Sequence, residues 1–420
     1  MNDSTTTDSM GTDLALDDDV VDVLIVGGGL VGLALVNMLS ACGLTVALVE
    51  QTVMKSPPEQ RFDDRAIALS FGSARVLEQM LPDATIWPEI ERLATPIREV
   101  HVCEHQRLGM TRFKAAELGV PALGYVAPAG RLIEVMARAA QASQSTLSVV
   151  SPARLERLRI HAGGVSAEVA VGPTGGATQR TIRATLLVAA DGGQSTVRSM
   201  LGLAVQHLDY RQRALIANVS AAQAHHGRAF ERFLRSGPVA LLPLGTHDFG
   251  LIWSADTETV DELMSLYDEP FLRRLQSIFG PRLGTFVRAG RRSSFALHQA
   301  VSARQAFARV VLIGSAATHL HPVAGQGFNL ALRDVATLSS LLRQACHTGE
   351  DLGSVRLLAA MRRQRQADRE QTAKMTDGLV RLFSSDLLPL DMVRRGALLA
   401  VETLPGVKRA LAKRSMGLVG

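Results

Sequence analysis

Gly27, Gly29 and Gly32 fall in the spacing G-x-G-x-x-G, and Glu50 stands 18 residues after the last of them. Such a set is suited to holding a dinucleotide. The first glycine permits a tight turn, the second lets backbone approach a pyrophosphate, and the third lets a helix pack closely on a strand. The N–H groups that open the helix at Leu30 then face the phosphates. An acidic side chain at Glu50 can accept hydrogen bonds from ribose hydroxyls and would repel a 2′-phosphate. The loop points to an adenine dinucleotide and does not choose between NAD and FAD.

Two distant segments carry further chemistry. Residues Asp191 to Arg198 have the form DGxxSxxR, with Gly192 completing its turn and Ser195 inside it. Residues Gly314 to Asn329, with Asp334 beyond, include Ser315, His319, His321, Pro322 and the turn Gly325-Gln326-Gly327. Each of the three segments follows an apolar, β-branched run that reads as a buried parallel strand, at 20–26, 182–190 and 309–313. A helix at 30–39 and a strand at 45–50 complete a β-α-β unit opening a doubly wound α/β fold. Strands at 98–104, 147–150, 154–160 and 166–171 follow, and those at 215–220, 239–244 and 249–255 suggest a separate antiparallel sheet. Long helices are expected at 329–344 and 355–382.

In this order the three segments resemble those of the flavoprotein aromatic hydroxylases of the p-hydroxybenzoate hydroxylase type. Within that group the chain is similar to the ubiquinone-biosynthesis hydroxylases. The resemblance runs from about residue 20 to beyond the helix near Asn329, and becomes vague in the basic tail. It includes Asp64 to Ser70, Gly124-Tyr125-Val126, Glu231-Arg232-Phe233, and Gly237-Pro238 with Leu242-Pro243-Leu244. The wording from His321 to Leu330 is nearest the 2-polyprenyl-6-methoxyphenol hydroxylase branch.

The resemblance implies an α/β fold: a Rossmann-like FAD-binding domain with a parallel sheet, interleaved with an antiparallel-sheet substrate domain and followed by a C-terminal helical region. The FAD-binding domain would take 20–95, 125–200 and 300–345, the substrate domain 96–124 and 201–299, and the helical region 346–420. FAD is the implied cofactor. Gly27, Gly29, Leu30, Gly32 and Glu50 would hold its ADP half, with Arg65 and Arg131 near the phosphates. Asp191 and Gly192 belong to the motif that serves both FAD and the pyridine nucleotide. Ser315, Gly325, Gln326, Gly327 and Asn329 would meet the flavin, with Pro322 as a rigid wall beside the ring. The helix start at that turn favours an anionic ring by about 0.3–1 kcal/mol. The implied reaction uses NADPH or NADH and dioxygen, and a flavin hydroperoxide passes one oxygen to a polyprenylated phenol in ubiquinone biosynthesis. No side chain is named as a base. One residue departs from the wider group, which has Asp where this chain has Ser315; a neutral hydrogen bond there costs about 1 kcal/mol, roughly fivefold in FAD affinity.

The remaining signals are broader. Residues 1–19 carry six Asp and no base, which reads as a disordered leader and neither a signal nor a transit peptide. No run approaches the roughly 18 apolar residues of a membrane span. Cys42, Cys103 and Cys346 lie far apart without CxxC, pointing to a reducing compartment. A cytoplasmic location is expected, peripheral on the inner face of the membrane. Net charge is +5, so the chain beyond the leader carries +11. Residues 394–414 gather Arg394, Arg395, Lys408, Arg409, Lys413 and Arg414 against Glu402. Nucleic acid is not expected, because none of the 18 aromatic residues lies in that tail to stack on bases. An anionic membrane, or an acidic partner such as another quinone-biosynthesis protein, fits better. Leu398, Leu399, Val401, Leu404, Val407 and Leu411 would support membrane contact, or pack as an ordinary terminal helix with a solvated basic face.

Trp253 reads equally as a wall of the substrate pocket or as core, and His321 as substrate-facing or structural. No metal is expected: His319 and His321 lack a third ligand, and the alternating His101, Cys103 and His105 fall where a strand is expected anyway. His225-His226 reads as a solvated turn. Competing readings are a flavin hydroxylase of a small soluble aromatic acid, a non-catalytic FAD-binding scaffold and a nicotinamide dehydrogenase. The first requires a cationic group in the pocket; a prenylated substrate requires an apolar one.

Overall fold

The run from Val20 to Val26 is apolar except for Asp22, and it lies in the strand Asp19–Val26 inside an eight-stranded sheet. The fold is seen in a computed structural model that describes residues 19–52, 62, 65–80, 85–104, 110–143, 146–172, 178–384 and 402–418. The leader up to residue 18, Asp64, His105, Arg394, Arg395, Leu398, Leu399 and Val401 lie outside the described residues.

Val23, Leu24 and Ile25 are wholly buried, as a parallel strand covered on both faces must be. Val23 and Ile25 face the helices Leu30–Leu39, Ala129–Ser143 and Gln326–Thr348; Leu24 and Val26 face Val197, Ala316 and Ala317 on the other side. Parallel neighbours flank the strand: Val46–Val49 and then Leu147–Val150 on one side, Thr178–Ala189 and then Val310–Leu312 on the other. The strand expected at 182–190 starts earlier, at Thr178, because its first half pairs antiparallel with Val165–Val171 before its second half meets Asp19–Val26.

A second sheet has nine strands and is mostly antiparallel. Its long member, Val205–Ala221, pairs with Asp248–Asp256 and Ser293–Ser302; beyond Asp248–Asp256 come Gly237–Leu244, Arg228–Leu234, Glu99–Glu104 and Met110–Lys114. The helices Thr257–Ser265 and Asp268–Phe279 bury one of its faces through Val260, Leu263, Phe271 and Leu275. A small sheet is formed by Ala66–Ser70, Gly124–Pro128 and Thr95–Ile97, with Gly124–Pro128 in the middle.

Helix Val355–Ser384 packs along Gln326–Thr348 through ions. Arg365 Nε donates to Asp334 Oδ1 at 2.7 Å, and Arg333 and Arg365 both donate to Asp368. Burial pushes the Asp334 carboxyl up while Arg365 and Arg369 pull it down. The final helix, Pro405–Ser415, is anchored where Gly72 N donates to Met416 O at 2.7 Å. A side chain at Gly72 would stand 2.5 Å from Gly417 O, so only glycine lets the two backbones touch. No helix of the described residues is long and apolar enough to cross a membrane.

Candidate active site

Asp19–Val26, Thr178–Ala189 and Val310–Leu312 are adjacent parallel strands, so the three segments that follow them leave the sheet at one edge. Ligands of open α/β sheets sit at that carboxyl edge. Ala190 N donates to Val26 O at 2.8 Å and Ile313 N to Ala189 O at 3.0 Å, carrying the register past the strand ends. Gly27 has φ +109°, and a Cβ there would stand 2.5 Å from Ala190 O. Gly32 closes on the carbonyl of Gly27, whereas Gly29 faces open space, with no atom within 4 Å of an added Cβ. Gly29 caps the helix beginning at Leu30 without offering a side chain, which leaves first-turn N–H groups for an anion. Glu50 spans the loop: Oε2 accepts from Gly28 N at 2.6 Å and Oε1 from Thr52 N at 2.8 Å.

A cleft of about 450 Å³ extends from Gly29 and Leu30 past Arg65 and Ser315 to Pro322, Gly325 and Gly327. Arg65 lies beside the start of the helix carrying Arg131, where Ala129 N donates to Arg65 O at 2.8 Å. Arg131 Nη1 pairs with Glu134 at 2.6 Å, and its Nε is buried without a partner. Gly192 takes φ +84° in the turn after Asp191. Asp191 Oδ2 accepts from Val197 N at 3.1 Å, and Oδ1 is buried without a partner. Buried donors and acceptors are ordinarily satisfied, so these two atoms, the uncapped helix and the open side of Gly29 fit a polar dinucleotide such as FAD.

Two buried arginines hold the loop after Gly314. Arg198 donates to Ala316 O at 2.8 Å and Gly193 O at 2.6 Å, which ties the second motif to the third. Arg369, from helix Val355–Ser384, donates to Ala317 O at 3.0 Å and through Nε to Thr318 Oγ1 at 2.9 Å. Sequence reading gave Arg369 no role, since nothing in its charged surroundings marks it as the buried one.

The structure decides between the open readings of two residues and places three others differently from expectation. Asn329 is spent inside the protein: Oδ1 accepts from Ser70 N at 2.8 Å, while Nδ2 donates to Gly325 O and Ala68 O. It shapes the turn, with both amide atoms engaged inside the protein. Gln326 lines the neighbouring chamber, while Gly325 and Gly327 on either side of it line the cleft. Trp253 is 2% exposed and tilts against Phe271, because strand alternation turns Ile252 and Ser254 to the chamber and Trp253 to the helices behind. His321 is fully buried edge-on to Tyr210, its Nδ1 accepting from Val323 N at 3.1 Å, so it faces no substrate space. His225, expected in solvent, is also buried, accepting from Gly227 N through Nδ1. Among the described residues no three His, Cys, Asp or Glu side chains gather as metal ligands.

The chamber has about 210 Å³ and shares Ala68, Leu242, Ile252, Pro322 and Gly325 with the cleft. Its remaining wall is mainly apolar, including Ile97, Val100, Phe113 and Phe230, and the last helix closes it with Ala412, Ser415 and Met416. Sequence reading did not find this space, because its lining comes from nine separate stretches with no shared motif.

A family profile described as an FAD binding domain matches residues 20–375. The ubiquinone hydroxylase UbiL of Rhodospirillum rubrum is 35% identical over 402 residues, covering 95% of this chain and 90% of that one. The 3-demethoxyubiquinol 3-hydroxylase of Escherichia coli is 30% identical over 404 residues, covering 94% and 98%. Among solved structures, p-nitrophenol 4-monooxygenase PnpA of Pseudomonas putida shares the fold with a TM-score of 0.76 at 18% identity, covering 95% of this chain and 98% of that one. With three FAD-type segments leaving the sheet at one edge and relatives matched over nearly their whole length, the chain belongs to the FAD binding domain family, among its ubiquinone-biosynthesis hydroxylases, and is an FAD-dependent aromatic-ring monooxygenase.

Proposed function

We propose that the chain hydroxylates the ring of a polyprenylated phenol in ubiquinone biosynthesis, with FAD along the cleft and the phenol in the chamber beside it. The observation that carries this reading is the chamber lining, which among the described residues contains no Lys or Arg. A small aromatic acid would need such a group for its carboxylate. A prenylated ring instead gains from apolar contact, at about 25 cal/mol per Å² buried.

Bound FAD supplies the electron and oxygen chemistry, with NADPH or NADH as reductant. The protein does the rest. Gly27, Gly29 and Gly32 would let the chain approach the pyrophosphate, and the N–H groups at Leu30 would meet it. Glu50 would accept hydrogen bonds from ribose hydroxyls, Arg65 and Arg131 would serve the phosphates, and Asp191 would offer Oδ1 as a further acceptor. Ser315, Gly325 and Gly327 would border the ring system. Pro322, common to both spaces, would stand between the ring and the chamber, whose apolar wall would exclude water.

Helix Pro405–Ser415 extends the proposal to a lipid surface. Leu404, Val407 and Leu411 are exposed at helical spacing, with Arg409 and Lys413 exposed beside them. The same helix walls the chamber, so an anionic bilayer docked there would lie next to the site for a lipid-borne substrate.

Deleting the gene and identifying the accumulated quinone precursor by mass spectrometry tests the function. A prenylated phenol lacking one ring hydroxyl is expected; an unchanged quinone profile would refute it.

A further inference from the structure

The chamber is small for the substrate it would serve. Its volume of about 210 Å³ falls below the roughly 300–1,000 Å³ that encloses a drug-sized ligand. It has room for a ring and the first carbons of a prenyl chain, so a long tail must leave it. Towards Pro322 and Gly325 the chamber gives onto the cofactor cleft, which bound FAD would take up. Ala412, Ser415 and Met416, which the last helix contributes to the chamber, do not border that cleft.

Ser415 marks a second opening. Among the described residues that line the chamber it is the exposed one, and the others are buried or half-buried. Helical geometry sets its place. Residues three and four apart share a face, and Leu404, Val407, Leu411 and Ser415 follow one another at those spacings. The first three are exposed apolar side chains, whereas Ala412 and Met416, further round the helix, are buried against the chamber. Ser415 stands between the two groups, so the apolar stripe leads from the surface to the opening. At about 1.5 Å per residue the stripe runs for about 17 Å. Both ends of the helix are tied down. Lys408 Nζ pairs with Glu117 at 3.5 Å near the start, and Gly72 N donates to Met416 O at 2.7 Å at the end. The opening therefore needs no swing of the helix.

We infer that the prenyl tail of the substrate leaves the chamber past Ser415 and lies along Leu411, Val407 and Leu404, so that Ser415 determines how long a tail the enzyme accepts. A small side chain here keeps the passage clear. The stripe offers apolar surface to each methylene that leaves water. It is also the face that would meet lipid, so a tail on this route passes from chamber to bilayer without crossing water. The inference rests on the chamber being the ring site.

The test uses the full-length, FAD-loaded protein, with Ser415→Trp to fill the opening and Ser415→Ala as the small control. Each is assayed with a short-tailed and a long-tailed prenylphenol in the same detergent, so that vesicle binding plays no part. The readout is the ratio of kcat/KM for the long tail to that for the short one. S415W should lower this ratio by at least about tenfold, the equivalent of roughly two methylenes of lost apolar contact. S415A should keep the wild-type ratio. A fault in folding alone would lower both substrates alike and leave the ratio in place. A second measurement needs no variant. Wild-type enzyme is irradiated with a long-tailed phenol carrying a diazirine partway along the tail, and the labelled peptide is identified by mass spectrometry. Labelling is expected within residues 404–418. An S415W ratio within twofold of wild type, or labelling confined to other segments, would overturn the inference. Wild-type enzyme that neither binds nor turns over either phenol would instead overturn the assignment of the chamber, and this inference with it.

Discussion

Along Asp248–Asp256 the side of the strand decides the role of each residue. Ile252 and Ser254 face the chamber, and Trp253 between them lies against Phe271 in the core behind. Trp253→Ala should accordingly cost about 3–5 kcal/mol of stability, seen as a lower urea midpoint. Its kcat/KM, measured on folded enzyme, should stay within twofold. A pocket role would predict the reverse. His321 makes a second prediction, in pH. Burial holds its imidazole down to about 4 from 6.5, and its Nε2 has no partner. Between those values the unfolded chain takes up a proton here and the folded chain does not, so stability rises with pH across that window. The contribution is present above about pH 6.5 and lost as pH falls toward 4. Urea titrations at pH 7 and 4.5 should show wild type losing about 2–3 kcal/mol more than His321→Gln.

At the scale of elements, the loop after Val310–Leu312 is held by a helix that begins more than 40 residues later. Arg369 lies on Val355–Ser384 and donates to Ala317 O and Thr318 Oγ1. Arg369→Met would leave buried Thr318 Oγ1 without its donor and Ala317 O with Ser302 N in place of two donors, loosening the loop that carries Ser315 and Pro322. FAD should then dissociate more readily, with an apparent Kd at least about tenfold higher, read by fluorescence of released flavin; Arg369→Lys should fall between. This clamp also marks the limit of what was legible in advance. The strand runs before Gly27, Asp191 and Gly314 were readable because a parallel strand buried on both faces shows as continuous Val, Ile and Leu. Their convergence followed from the three glycine segments being of one type. The strand Val205–Ala221 was legible only from Leu215, since residues 205–213 alternate between exposed and half-buried positions and carry Gln206, His207, Asp209 and Arg211. Trp253 and His321 were left between two readings, and the side chain of Asn329 was expected at the cofactor, for a related reason. Residue type shows that a side chain can line a pocket or bind a ligand, while the face it occupies depends on register with distant strands. Arg369 had no signal at all among its charged neighbours, because burial of one arginine in a helix is decided by the partner helix.

On the scale of the whole molecule, the charge and the chamber meet at the C-terminal helix. Lys408 is held by Glu117 and Glu402, at 3.5 and 3.3 Å, whereas Arg409 and Lys413 are exposed beside Leu404, Val407 and Leu411. Ala412 and Met416, on the opposite side, are buried against the chamber. A helix with this division presents an apolar stripe and cations outward while its inner side closes the chamber. Each basic residue near an anionic leaflet is worth about 1 kcal/mol, screened beyond a Debye length. Replacing Arg409 and Lys413 together by Gln should weaken pelleting with phosphatidylglycerol-containing vesicles by about 2 kcal/mol, roughly thirtyfold. Raising the salt should weaken wild type toward the level of the variant, and neutral vesicles should bind both poorly. Turnover of a short-chain prenylphenol dispersed in detergent should be unaffected by the double change, whereas turnover of a long-chain substrate presented in anionic vesicles should fall with binding. Equal pelleting of the two proteins at low salt would show that the helix only packs and does not dock.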